Sequence, residues 1–105
     1  MKTDIDSLAI TVVIAMQGRT LATAESITGG QLGATITSIP GASQIFRGGV
    51  IAYATDLKSE LLGVSNSVLA DGGAVQAQVA LEMATGAAVK LNADFGLAVT
   101  GVAGP

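Results

Sequence analysis

Two short apolar runs, Gly48–Tyr53 and Phe95–Thr100, and a segment of β-formers and alanine, Thr20–Glu25, alternate with stretches whose apolar residues recur at three- and four-residue steps. An apolar run without polar alternation suits a strand covered on both faces, and helical segments between such strands supply the covers. The pattern predicts an α/β layered domain. Ile5, Leu8, Ala9, Val12 and Met16 mark a helix over 4–17, with Asp4 or Asp6 at its start and Gly18 past its end. Leu32, Ile36 and Ile39 continue helical spacing after the first strand, and Pro40-Gly41 stops it. A short helix over 56–62, a turn near 66–70 and a loop at Asp71-Gly72-Gly73 follow the second strand. Val75, Val79, Met83 and Ala87 then form one stripe of a helix that runs to Leu91. Within it Gly86 costs about 1 kcal/mol relative to alanine unless close packing needs it. Average sheets have about five or six strands, so three imply an exposed edge or a missing continuation.

With 105 residues the chain fits one domain. Hydrophobic types make up 50% and charged types 12%, so some surface is expected to be buried against another chain, as in a homo-oligomer. Five basic against eight acidic residues give a net charge of -3, which offers no basic field for a phosphate backbone and argues against nucleic acid as the main ligand. Cysteine and histidine are both absent, which removes disulfides, thiolate nucleophiles, most zinc sites and every triad with an imidazole base. Asp4, Asp6, Asp56, Glu60 and Asp71 lack metal-ligand spacing, so no metal site is expected. Two acids in the first six residues do not suit a signal peptide, and the chain reads as cytoplasmic. The mean hydropathy of +0.61 comes from core alanines and valines. The charge-free span from Ser26 to Phe46 is broken by Pro40 and rich in Gly, Ser and Thr, unlike a membrane span.

Any nucleophile therefore needs a base other than histidine. Glu25-Ser26-Ile27-Thr28-Gly29-Gly30 places a hydroxyl at a strand end, with two glycines before a helix whose first amides can hold a phosphate or oxyanion. The same residues also suit plain capping of that helix by Ser26 or Thr28. Tyr53 and Lys58 follow the second strand, and Thr100-Gly101-Val102-Ala103-Gly104-Pro105 follows the third. Because α/β ligands bind at the carboxyl ends of parallel strands, Ser26, Tyr53 and Thr100 are candidates to converge there. A desolvated Lys58 can then activate Ser26, with Tyr53 sharing or relaying the proton. Arg47 is the one cation near Gly48-Gly49 and is a candidate anion contact, or else a solvated arginine.

The spaced motifs Ala24-Glu25-Ser26-Ile27-Thr28-Gly29-Gly30, Pro40-Gly41-Ala42-Ser43, Phe46-Arg47-Gly48-Gly49-Val50, Ala52-Tyr53 with Lys58, and Leu61-Leu62-Gly63-Val64 closely resemble the CinA C-terminal domain family of nicotinamide-nucleotide amidases. Gly73-Ala74-Val75, Glu82-Met83-Ala84, Ala93-Asp94 and Thr100–Pro105 extend the match from about Leu21 onward. The resemblance implies hydrolysis of nicotinamide mononucleotide to nicotinic acid mononucleotide and ammonia, with no cofactor. It implies Ser26 as nucleophile, Tyr53 and Lys58 as the proton-handling pair and Thr100 as a supporting hydroxyl. Thr28, Gly29, Gly30, Arg47 and Gly101 are the expected substrate contacts. The implied fold is a three-layer α/β/α sandwich with a mixed sheet of five strands, of which about three lie in this sequence. Ile27 stands where the family usually has Cys, and Gln76 where Ser is common. The family pattern continues past Pro105 with an acidic-Gly loop, a Lys-Pro-Val-Gly stretch and further strands. A second expectation is thus a non-catalytic nucleotide-binding or oligomerisation remnant, and a third a partial domain completed by a separate segment.

Overall fold

The computed structural model describes the backbone of residues 2–101 and the side chains of residues 7–101. The expected capping by Asp4 or Asp6 and the closing Val102–Pro105 turn lie outside the described residues. The elements are α1 (Lys2–Ala15), β1 (Leu21–Glu25), α2 (Gln31–Thr37), a short 3-10 turn (Ala42–Gln44), β2 (Phe46–Ile51), α3 (Thr55–Leu62), α4 (Asn66–Gly72), α5 (Ala77–Lys90) and β3 (Phe95–Ala98).

The sheet order is β2-β1-β3, and both pairings are parallel. The chain leaves β1 in one direction to form β2 and crosses back to the other side to form β3. Right-handed crossovers in opposite directions put their helices on opposite faces of the sheet. Accordingly α1 and α2 cover one face, while α3 and α5 cover the other. The three described strands are all parallel, so the mixed character expected of the family's sheet is not found among them.

Every residue of β1 is buried, Thr23 and Glu25 included, because the strand lies at the centre of the sheet with helices on both faces. Ala22 and Ala24 face Leu62, Val64, Val79, Met83 and Ala87, whereas Leu21 faces Val13, Ile36, Ala42 and Ile45. Small residues bring the helical layer close. A Cβ at Gly86 would strike the Leu62 carbonyl and one at Gly96 the Ala84 carbonyl, so the glycine inside α5 is needed for contact with α3.

Several boundaries differ from expectation by a residue or two, β3 ending at Ala98 and β2 at Ile51, and three differences have a visible cause. β2 starts two residues early, at Phe46, because Leu21 pairs with Phe46 and Ala22 with Gly48, leaving Arg47 as the extra residue of a bulge. Gly48 takes φ 152 there, a region open to glycine. Asn66–Gly72 is a helix rather than a turn; the Glu82 carboxylate of α5 accepts the Ser65 N–H at its start, at 2.8 Å. α5 begins at Ala77, not Val75. Gln76 instead folds back to donate to the Val68 and Gly73 carbonyls, and Val75 is exposed rather than in the core stripe.

Candidate active site

β1, β2 and β3 all run the same way, so Ser26, Tyr53 and Thr100 emerge at one end of the sheet. In an order such as 2-1-3 the crevice at the carboxyl ends lies where the connections diverge, beside the central strand. A cleft of ≈ 230 Å³ opens there, lined by Ser26 and Ile27 after β1, Tyr53, Thr55 and Lys58 after β2, Ala74, and Gly101 after β3.

At its floor Lys58 and Ser26 are both buried, and the Lys58 side chain is only 1% exposed. Lys58 Nζ donates to Ser26 Oγ at 2.8 Å, to the Ala52 carbonyl at 2.8 Å and to the Tyr53 carbonyl at 3.3 Å. Lys58 sits one turn into α3, and the chain from β2 into that helix passes directly over its head, which is why Ala52 and Tyr53 turn their carbonyls inward. None of the three acceptors is a carboxylate. Burial, with no carboxylate beside it among the described residues, pushes the Lys58 ammonium below its ordinary value of 10.5. In the neutral amine two N–H bonds are taken by the two carbonyls, and the lone pair is left facing the Ser26 hydroxyl. That is the arrangement a general base requires.

Tyr53 reaches the site by two routes. Its carbonyl holds Lys58, and the residue, 64% exposed, is among those that line the cleft. Thr100 is placed beside the cleft rather than on the reacting pair: its hydroxyl donates to the Ala74 carbonyl at 3.0 Å and so holds the 73–76 loop against the end of β3. Gly101 lines the cleft as expected, with Ile27 next to it.

Other expected contacts fall elsewhere. Arg47 lies near the start of β2, six residues before Tyr53 and about 20 Å along an extended chain. Its Nε donates to the Leu91 carbonyl at 2.6 Å, tying the bulge to the end of α5, so within this chain it is not a cleft residue. Gly29 and Gly30 do form the turn into α2, with φ 68 and 123, but two of the helix-start amides behind them, those of Leu32 and Gly33, are already taken. Leu32 N–H donates to Glu25 Oε1 at 2.6 Å and Gly33 N–H to Glu25 Oε2 at 2.9 Å. Thr28 also turns to Glu25, its hydroxyl lying 3.4 Å from Oε1. These residues therefore build the turn that carries Ser26, and the structure adds Thr55 to the cleft lining and Glu25 to that turn. The sequence signal for Glu25 was its place directly before the serine, and for Thr55 its place at the start of the helix that bears Lys58.

No group of three or more Asp or Glu side chains capable of holding a metal is present among the described residues. No helix among them is long and apolar enough to cross a membrane.

With this geometry in place, residues 6–105 match the CinA C-terminal domain. The chain belongs to that family. It is 53% identical over 104 residues to a CinA-like protein of Synechococcus sp. strain RCC307, covering 97% of this chain and 25% of that one. A CinA-like protein of Frankia casuarinae is 50% identical over 93 residues, 89% of this chain and 22% of its own length. The crystal structure of the competence/damage inducible protein CihA from Agrobacterium tumefaciens superposes with a TM-score of 0.90 at 41% identity, over 97% of this chain and 63% of that one. A CinA superfamily protein from Escherichia coli gives 0.87 at 36% identity, over 96% and 60%. The chain thus spans about a quarter of the length of these curated relatives and under two thirds of the solved ones.

Proposed function

We propose that the chain is the serine- and lysine-bearing part of an amidohydrolase that converts nicotinamide mononucleotide to nicotinic acid mononucleotide and ammonia. The reading rests on one observation: Lys58 Nζ, desolvated and with no carboxylate beside it among the described residues, stands 2.8 Å from Ser26 Oγ with its other hydrogens assigned to two backbone carbonyls. Family membership supports it, and the carboxamide of the nucleotide is the substrate group that such a pair would attack.

Neutral Lys58 takes the Ser26 proton as Oγ bonds to the carboxamide carbon, giving a tetrahedral intermediate. The resulting ammonium returns that proton to the departing nitrogen, the C–N bond breaks, and ammonia leaves an acyl ester on Ser26. Water then attacks the ester, with Lys58 taking a proton from it and returning one to Ser26 Oγ as the acid leaves. Tyr53 lines the cleft, where its phenol would contact the substrate or relay a proton, and Thr100 holds Ala74, another lining residue, in place. No cofactor enters these steps.

Ammonia release from nicotinamide mononucleotide, compared between the chain and Ser26→Ala, tests the reading. Serine-dependent release is the expected result. Thermal stabilisation by the nucleotide with no release would instead favour a binding remnant.

Self-association belongs to the same reading, because Phe95, Leu97 and Val99 along β3 and Leu8 on α1 are exposed. Apolar surface of this kind is commonly covered in an assembly. Light scattering at high concentration should show a species larger than the monomer, and a clean monomer would refute it.

A further inference from the structure

The carboxylate of Glu25 closes a bridge across the whole turn that carries Ser26. Glu25 is the last residue of β1 and is 2% exposed, and it takes the amides of Leu32 and Gly33, seven and eight residues later. Between these anchors lie Ser26 and the two glycines with positive φ, and Gly30, at the helix start, has no side chain with which to cap α2. Glycines leave a turn many conformations, so the geometry of Ser26 has to be imposed from outside the turn. The carboxylate does this with two strong contacts to helix-start amides and a weaker one to the Thr28 hydroxyl. Space for it is provided by Gly33, since a Cβ there would stand 3.2 Å from Glu25 Oε2.

We infer that Glu25 is the positioning residue of the Ser26–Lys58 pair: from the face of the sheet opposite Lys58 it locks the nucleophile turn in the register that sets Ser26 Oγ at the amine. A consequence is that the Leu32 and Gly33 amides do not serve as an anion site for substrate, because the protein's own carboxylate takes them. The inference rests on Ser26 being the nucleophile, as proposed above.

Glu25→Gln tests it with little change of shape. One oxygen still accepts, but the amide nitrogen now confronts a backbone N–H. The folded variant should release ammonia about 100-fold more slowly, the order expected when a reacting group shifts by about 1 Å, with KM changed less than twofold. Labelling of Ser26 by a fluorophosphonate probe should slow by the same factor. A residue that served stability alone would lower Tm and leave both rates per folded molecule unchanged, and that result overturns the inference. If Glu25→Gln does not fold, Gly33→Ala separates the roles, since alanine favours the helix while its Cβ presses on the carboxylate. Expected there is a several-fold slower labelling with Tm kept or raised; unchanged labelling overturns the inference. The probe also separates the two proposals. Labelling that depends on Glu25, without turnover of nicotinamide mononucleotide, removes the substrate assignment and keeps the positioning role, whereas no labelling of the unaltered chain removes both.

Discussion

Two ionisable side chains flank Ser26 from opposite faces of the sheet, and they are buried in opposite ways. Glu25 is surrounded by donors, namely two helix-start amides and a hydroxyl, which suit a carboxylate. Lys58 is surrounded by acceptors, but these are neutral carbonyls and a serine hydroxyl, with no carboxylate among them. Ala22 and Ala24 line the sheet face toward Lys58, and Leu21 lies on the other face with Glu25's layer, so the two charges do not meet. A direct ion pair would have held the lysine protonated and useless as a base. The difference teaches that one burial anchors the backbone while the other lowers the proton affinity of an amine.

Removing the reactive member should have the largest effect. Lys58→Met, similar in volume, is expected to cut turnover about 10³-fold or more while the fold persists, as read by ammonia release and circular dichroism. Rates within tenfold of the unaltered chain would remove Lys58 as the base. The anchoring member ranks next, at the hundredfold change expected of Glu25→Gln.

Acidity sharpens the same contrast. Because burial lowers the folded Lys58 value below 10.5, the unfolded chain binds more protons between those two values. Stability contributed by this residue therefore rises with pH through that window, and the penalty for holding a buried ammonium is complete below it. Thermal melting from neutral to alkaline pH should show the rise, and Lys58→Met should lose it. Turnover should rise through the folded ionisation as well.

Smaller effects mark the periphery. Thr100→Val removes the bond to the Ala74 carbonyl and should cost about 1 kcal/mol of stability, raising KM more than it lowers kcat as the cleft wall loosens. Arg47→Ala should leave kcat and KM unchanged and move stability by about 1 kcal/mol or less, since its contact with Leu91 is exposed and far from the cleft. A large loss of activity in this variant would place Arg47 at a site through an assembly.

Much of the fold was legible because strand burial and helix periodicity are local signals. The segment Leu21–Glu25 was legible as a strand though not as the central one, and Ser26, Tyr53 and Thr100 could be placed at one end of the sheet by the parallel rule. What could not be read depends on partners distant in sequence. Gln76 looked like the second residue of a helix until the carbonyls of Val68 and Gly73 claimed its amide. Tyr53 was legible as a phenol, whereas its contact with Lys58 is made by a carbonyl, which no side-chain identity announces. Glu25 passed as the end of a strand because its acceptor role appears only once α2 folds over it. Arg47 seemed free to meet an anion, but the bulge carries its guanidinium to the end of α5.

That bulge has an effect on the other side of β2. A strand that carries an extra residue and a glycine at φ 152 presents neighbouring chains with a kinked, mismatched ladder, and an arginine beside it discourages flat stacking. The β3 margin carries Phe95, Leu97 and no such interruption in its pairing with β1. The sheet is therefore lopsided in the way a zipper is: the β2 margin is the poorer template for a further strand and the β3 margin the better one.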